Sequence, residues 1–290
     1  MASAETQDWR RQIATEVAAI YAHDPRVVAV ALGGSVARGS TDRYSDADIY
    51  CYCHDLPSEQ DFLAWAQQVG GERCKCYGDV DAIWGHYYFD DFMIDVKLML
   101  VSALETVLDD VIDRFDTEEG KHFVVGGILD CAPVCGAALI EKWRTKAAAY
   151  PMELARAKVR KHLWFGPHWY LLPMLRDRGE VLYVYEFFHR WTRHIVGILA
   201  ALNRRYDRGE LKGVALFLDN LPIKPEDVSL RLQSCYEMKA ETALDEFHRL
   251  IEEVFDLVEE HMPEIDAHEA RRIFNHPPLA SDNPPQGHDK

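Results

Sequence analysis

An apolar run, residues 27–32, stops at Gly33-Gly34-Ser35, and a second run opens on Asp46-x-Asp48. A short β-branched-rich apolar stretch reads as a buried strand, and paired glycines before a serine break it. Residues 46–53 alternate: Ala47, Ile49, Cys51 and Cys53 fall on one side, Asp46, Asp48, Tyr50 and Tyr52 on the other. Alternation of period two is the mark of a strand with one buried face. In a helix, residues two apart do not face each other. A strand therefore puts both carboxylates on one face, opposite the core.

The rest of the first half alternates between the two periodicities. Helical spacing is expected over residues 7–22, 58–69 and 102–115, and strands over residues 82–89 and 92–100. Ser58 with Asp61 three residues on is a capping-box pattern. From Gly136 onward nearly every segment has helical spacing, for example residues 152–164, 181–205 and 236–260. The expected fold class is α+β: an N-terminal mixed β-sheet domain with flanking helices, residues 1–135, then a C-terminal all-helical domain, residues 136–275. The working site is expected in the cleft between them. The proline-rich stretch 276–290 reads as a disordered tail.

The chain has 290 residues and a formal net charge of −16. That balance disfavours a nucleic-acid partner, whose footprint is a basic face, and favours a cationic one. No apolar run reaches the length of a membrane span and no signal peptide is visible, so a cytoplasmic location is expected. Seven cysteines, an odd number, do not form a secreted disulfide framework. Cys51-x-Cys53 and Cys74-x-Cys76 are spaced more tightly than zinc ligands usually are and read as core. The basic cluster Lys158, Arg160, Lys161 and His162 reads as a solvated helix face.

Residues 29–53 meet several needs of phosphoryl chemistry. Gly33 and Gly34 allow backbone to approach a triphosphate. Ser35 adds a hydroxyl donor, and a helix starting there would aim its N–H groups at anionic oxygen. Arg38 supplies fixed positive charge. Asp46 and Asp48 offer hard oxygen ligands of the kind magnesium takes. A further carboxylate, Asp95, interrupts the apolar strand 92–100, which is unusual. It is a third metal ligand or the base for an acceptor hydroxyl. Two plainer readings stay open: pairing of Asp95 with Lys97, and Asp91 in its place.

The residues Leu32-Gly33-Gly34-Ser35, Ala37-Arg38-Gly39 and Ser45-Asp46-x-Asp48-Ile49, followed by Asp95, resemble the DNA polymerase β-like nucleotidyltransferase superfamily. Within it, the pattern resembles the bacterial branch that modifies aminoglycosides and lincosamides. The helical second half is similar too, and residues 201–213 look like a helix-end motif whose lysine, here Lys212, would reach the triphosphate. One departure is that small-molecule members often use glutamate as base, where this chain has Asp95.

The resemblance implies magnesium-dependent transfer of a nucleoside monophosphate, with two ions and with ATP as the expected donor, to a hydroxyl of a small molecule. The implied site is Asp46, Asp48 and Asp95 for metal and catalysis, with Gly34, Ser35, Arg38, Ser45 and Lys212 for the nucleotide. The rival functions are nucleotidylation of a protein or tRNA and a non-catalytic nucleotide-binding module. The assembly is expected to be a monomer or homodimer.

Overall fold

The structure, a computed structural model, describes residues 4–207 and 209–276. The chain divides after Pro151 into two compact units.

In the first unit the elements run α1 (Ala4–Tyr21), β1 (Val27–Leu32), α2 (Gly34–Arg38), β2 (Ala47–Cys53), α3 (Glu59–Gln68), β3 (Glu72–Gly78), β4 (Ala82–Phe89), β5 (Phe92–Leu100), α4 (Val101–Ile112), α5 (Glu119–Asp130), β6 (Ala132–Cys135) and α6 (Ala137–Ala148). The strands form one mixed sheet in the order β3-β4-β5-β2-β1-β6. β2 and β5 pair in parallel, and the remaining pairs are antiparallel. With the helical second unit this is the expected α+β class.

Burial follows the alternation. Ala47, Ile49, Cys51 and Cys53 from β2 join Ile94, Val96 and Leu98 from β5 in a core closed by Ala14, Val17, Ala18 and Tyr21 of α1 and by Phe62 and Ala66 of α3. Each buried Val, Leu, Ile or Phe side chain among them contributes about 1.5–3 kcal/mol by leaving water, which is what holds the register. Cys74 and Cys76 pack against the same core, and all seven cysteines are free thiols. Ser58 and Asp61 close their reciprocal capping box at the start of α3.

Two strands were not foreseen. β3 is polar and β6 contains Pro133, and both lie at sheet edges. Edge strands tolerate charge and proline, so they lack the apolar signature of central ones. α6 belongs to the first unit, whereas the expected boundary at 135/136 assigns it to the second. Its Trp143 ring packs edge-on against Tyr52 at 4.9 Å and donates a hydrogen bond to Glu105 at 3.2 Å. Its Arg144 donates to the Cys131 carbonyl at 2.7 Å.

The second unit contains α7 (Met152–His162), a short 3-10 turn (His168–Tyr170), α8 (Leu171–Arg178), α9 (Val181–Leu202), α10 (Val214–Asp219), α11 (Val228–Glu237), α12 (Ala240–His261) and α13 (His268–Phe274). No strand occurs in it among the described residues. Instead of one helix over 236–260, the chain extends at Met238 and restarts at Ala240. The segment 276–290 lies outside the described residues from 277 on. Among the described residues no helix is long and apolar enough to cross a membrane.

The basic cluster on α7 corrects the expectation of a solvated face. Arg160 and Lys161 are exposed, but Lys158 is fully buried and His162 nearly so. Lys158 Nζ donates to Asp207 Oδ1 at 2.5 Å, which supplies the counter-charge a buried ammonium needs. His162 Nδ1 meets His194 Nδ1 of α9 at 3.2 Å.

Candidate active site

The turn after β1 is shaped around β2. The Gly33 N–H donates to the Asp48 carbonyl at 2.8 Å, and α2 begins at the next residue. A Cβ on Gly33 would lie 2.2 Å from the Tyr50 ring. Gly34 has φ +58, and a Cβ there would lie 1.7 Å from Asp48 Oδ2. The Asp48 carboxylate thus rests on the bare Cα of Gly34.

Asp46 ends the loop that follows α2. That loop is gripped from α1 by Arg10, which is 6% exposed. Its guanidinium donates to the Ser45 carbonyl at 3.2 Å and the Arg43 carbonyl at 3.1 Å, and it lies over the rings of Trp9 and Phe92. Inside the loop, Ser45 Oγ bridges the Asp42 amide and carboxylate. Ser45 therefore shapes the approach to Asp46 through Asp42.

The sheet register brings the remaining groups together. Asp48 is paired with Asp95 across the parallel β2/β5 ladder, where neighbouring strands lie about 4.8 Å apart. His86 is opposite Asp95, and Lys75 opposite His86. The next row reads Tyr77, Trp84, Lys97 and Tyr50. Burial and the charge of Asp46 push the Asp95 carboxyl above its ordinary range, against the opposing pull of His86 and Lys97. Burial lowers Lys97, with Asp79 and Asp95 partly restoring it. Lys97 stands over the Trp84 ring at 5.2 Å. Asp91, the alternative to Asp95, is exposed in the β4–β5 turn beside Arg73.

The three aspartates occupy one end of one sheet face, but they do not share one coordination point. Among the described residues no three such side chains are arranged to hold a metal by themselves. Asp48 is drawn against Gly34, and Asp46 precedes the strand. Of the other expected residues, Ser35 is half-buried in α2 and Arg38, at its end, lies 3.8 Å from Asp130. Lys212 is in the second unit, exposed in the turn before α10.

Sequence reasoning missed Arg10 and His86. His86 was accessible: a two-residue turn at Asp90-Asp91 pairs Phe89 with Phe92 and hence His86 with Asp95. Arg10 carried no local signal, because its partners lie more than thirty residues away.

A solved structure of a nucleotidyltransferase-like protein from Exiguobacterium sibiricum 255-15 is similar at 14% identity over 88% of this chain and 80% of that one. Its TM-score of 0.34 is too low to carry an argument. No curated protein matches the chain. The family model described as a nucleotidyltransferase domain matches residues 10–99, the segment from Arg10 to the strand that carries Asp95. The sheet face that holds Asp46, Asp48 and Asp95 thus lies within the segment, about a third of the chain, that matches a nucleotidyltransferase domain.

Proposed function

We propose that the chain transfers a nucleoside monophosphate from a nucleoside triphosphate, ATP being the expected donor, to a hydroxyl of a small molecule. The observation that carries this is the register pairing of Asp48 with Asp95, with Asp46 at the mouth of β2 beside the Gly33-Gly34-Ser35 turn. A protein that only binds nucleotide has no need of such crowded carboxylates. The net charge of −16 favours a small acceptor over tRNA.

The donor set suits magnesium, which is usually held by one or two carboxylates plus substrate phosphates. Asp46 and Asp48 would hold it, with Asp95 at the margin. When bound, the ion neutralises the phosphates and polarises the one under attack. The chain's own groups do the rest. Ser35 and Arg38 orient the triphosphate. Asp95 takes the proton of the acceptor hydroxyl, whose oxygen bonds to the α-phosphorus as the bond to pyrophosphate breaks. A base with a raised pKa accepts that proton more readily. The resemblance to antibiotic-modifying enzymes points to a hydroxylated small molecule as acceptor.

The test is pyrophosphate release with magnesium, ATP and a panel of hydroxylated acceptors, together with the melting shift caused by magnesium and ATP. Acceptor-dependent release and a positive shift are expected, the shift shrinking in Ser35→Ala and Arg38→Ala. Absence of both release and shift overturns the reading.

A further inference from the structure

A hydroxyl that gives its proton to Asp95 must lie within hydrogen-bond reach of it. The acceptor therefore rests on the sheet face around Asp95. Toward β2 and β1 that surface is the triphosphate side: Asp46, Asp48 and the glycine turn. Toward β4 and β3 it changes character. There the row beside Asp95 holds His86 and Lys75, and the next row holds Trp84 and Tyr77.

The Trp84 and Tyr77 rings lie stacked, with centroids 6.3 Å apart and planes 21° apart. Tyr77 is 57% exposed. The exposed Tyr77 ring, backed by half-buried Trp84 and one row from a candidate base, offers a face on which a second flat ring can stack. The charges around them are mixed: Asp79 and Asp95 both act on Lys97, and Arg73 is paired with Asp91. Lys97 lies over Trp84, Lys75 is exposed beside it, and Arg73 lies over the neighbouring Tyr88 ring at 4.1 Å.

We propose that the Trp84–Tyr77 ladder is the acceptor subsite, and that it takes an alcohol that carries a flat ring, held by stacking. This rests on the transfer reading above and narrows its acceptor.

The experiment measures pyrophosphate release with magnesium and ATP against three probes: p-nitrophenyl β-glucopyranoside and p-nitrophenyl β-glucuronide, which carry a flat ring, and kanamycin A, which has none. Release is expected with the probes that carry the flat ring. With the better of these, Trp84→Ala should raise the acceptor KM by about tenfold or more while the melting shift from magnesium and ATP stays unchanged. Trp84→Phe should restore KM to within about threefold. Tyr77→Ala, at an exposed position, repeats the test should Trp84→Ala fold poorly. Release confined to kanamycin A, or an acceptor KM that neither variant moves, overturns the subsite and leaves the transfer reading standing. Release with no probe counts against the transfer reading itself, and the subsite falls with it.

Discussion

Gly34 and Asp48 are fitted to each other: a Cβ at Gly34 would lie 1.7 Å from Asp48 Oδ2, and the backbone there has φ +58. The glycine turn is usually read as room for a phosphate. In this chain its first use is room for the Asp48 carboxylate. The same holds one residue earlier, where Gly33 makes space for the Tyr50 ring. The turn and β2 are therefore one device, and a change in the turn is transmitted to the strand that carries Asp48.

Gly34→Ala is expected to reduce turnover by about a hundredfold or more, since a displacement of about 1 Å at a reacting group has that effect. The left-handed backbone should cost a further 1–2 kcal/mol or so of stability. Turnover and urea unfolding measured on one preparation check both. Turnover near the parent level would show that Asp48 can move without consequence.

Asp46→Asn and Asp48→Asn should each abolish turnover with the fold retained. Removing one charge from a crowded acidic face relieves repulsion, so melting without magnesium should hold steady or rise. Either variant keeping activity within about tenfold of the parent would remove these residues from the metal site.

Asp95→Asn should lower turnover by about 10²–10⁴, with Asp91→Asn near normal. Stability supplies a second readout. Burial and the charge of Asp46 hold the folded Asp95 carboxyl above its ordinary value of 3.8. The folded state therefore holds this proton more tightly than the unfolded chain, and stability falls as pH rises from 3.8 toward the folded value. Asp95→Asn removes that penalty, so its melting temperature at pH 7 should equal or exceed the parent's. A loss of stability at pH 7 would assign Asp95 a structural role.

Acid should weaken the second unit through His162 and His194. Burial, with Lys158 and His194 nearby, lowers His162 to about 3, Asp207 opposing and Lys161 adding to the drop. Burial, with Arg190, Arg193 and Lys161, lowers His194 to about 4. The unfolded chain binds both protons near the ordinary value of 6.5. Stability is then complete above pH 6.5 and is lost as pH falls toward 4. His162→Leu should remove about half of that slope. A melting temperature that is flat between pH 7 and 5 in the parent would contradict this.

Much of the first unit was legible in the amino-acid sequence. Period-two alternation in residues 46–53 and 92–100 assigned Asp46, Asp48 and Asp95 to the non-core faces of their strands. The glycine pair marked the turn, Ser58 with Asp61 marked a helix start, and helical spacing separated the second half from the first. These are local properties, written in side-chain period and backbone preference.

The tertiary structure decided the rest. That β2 lies beside β5 in parallel, with Asp48 next to Asp95, depends on packing against α1 and α3 and has no local signal. So does the hold of Arg10 on the loop before Asp46. The burial of Lys158 was likewise invisible, because its counter-charge, Asp207, stands 49 residues away. Edge strands β3 and β6 escaped notice since an edge does not require an apolar pattern. Periodicity tells which face of an element is buried; only the packed chain tells which other element covers it.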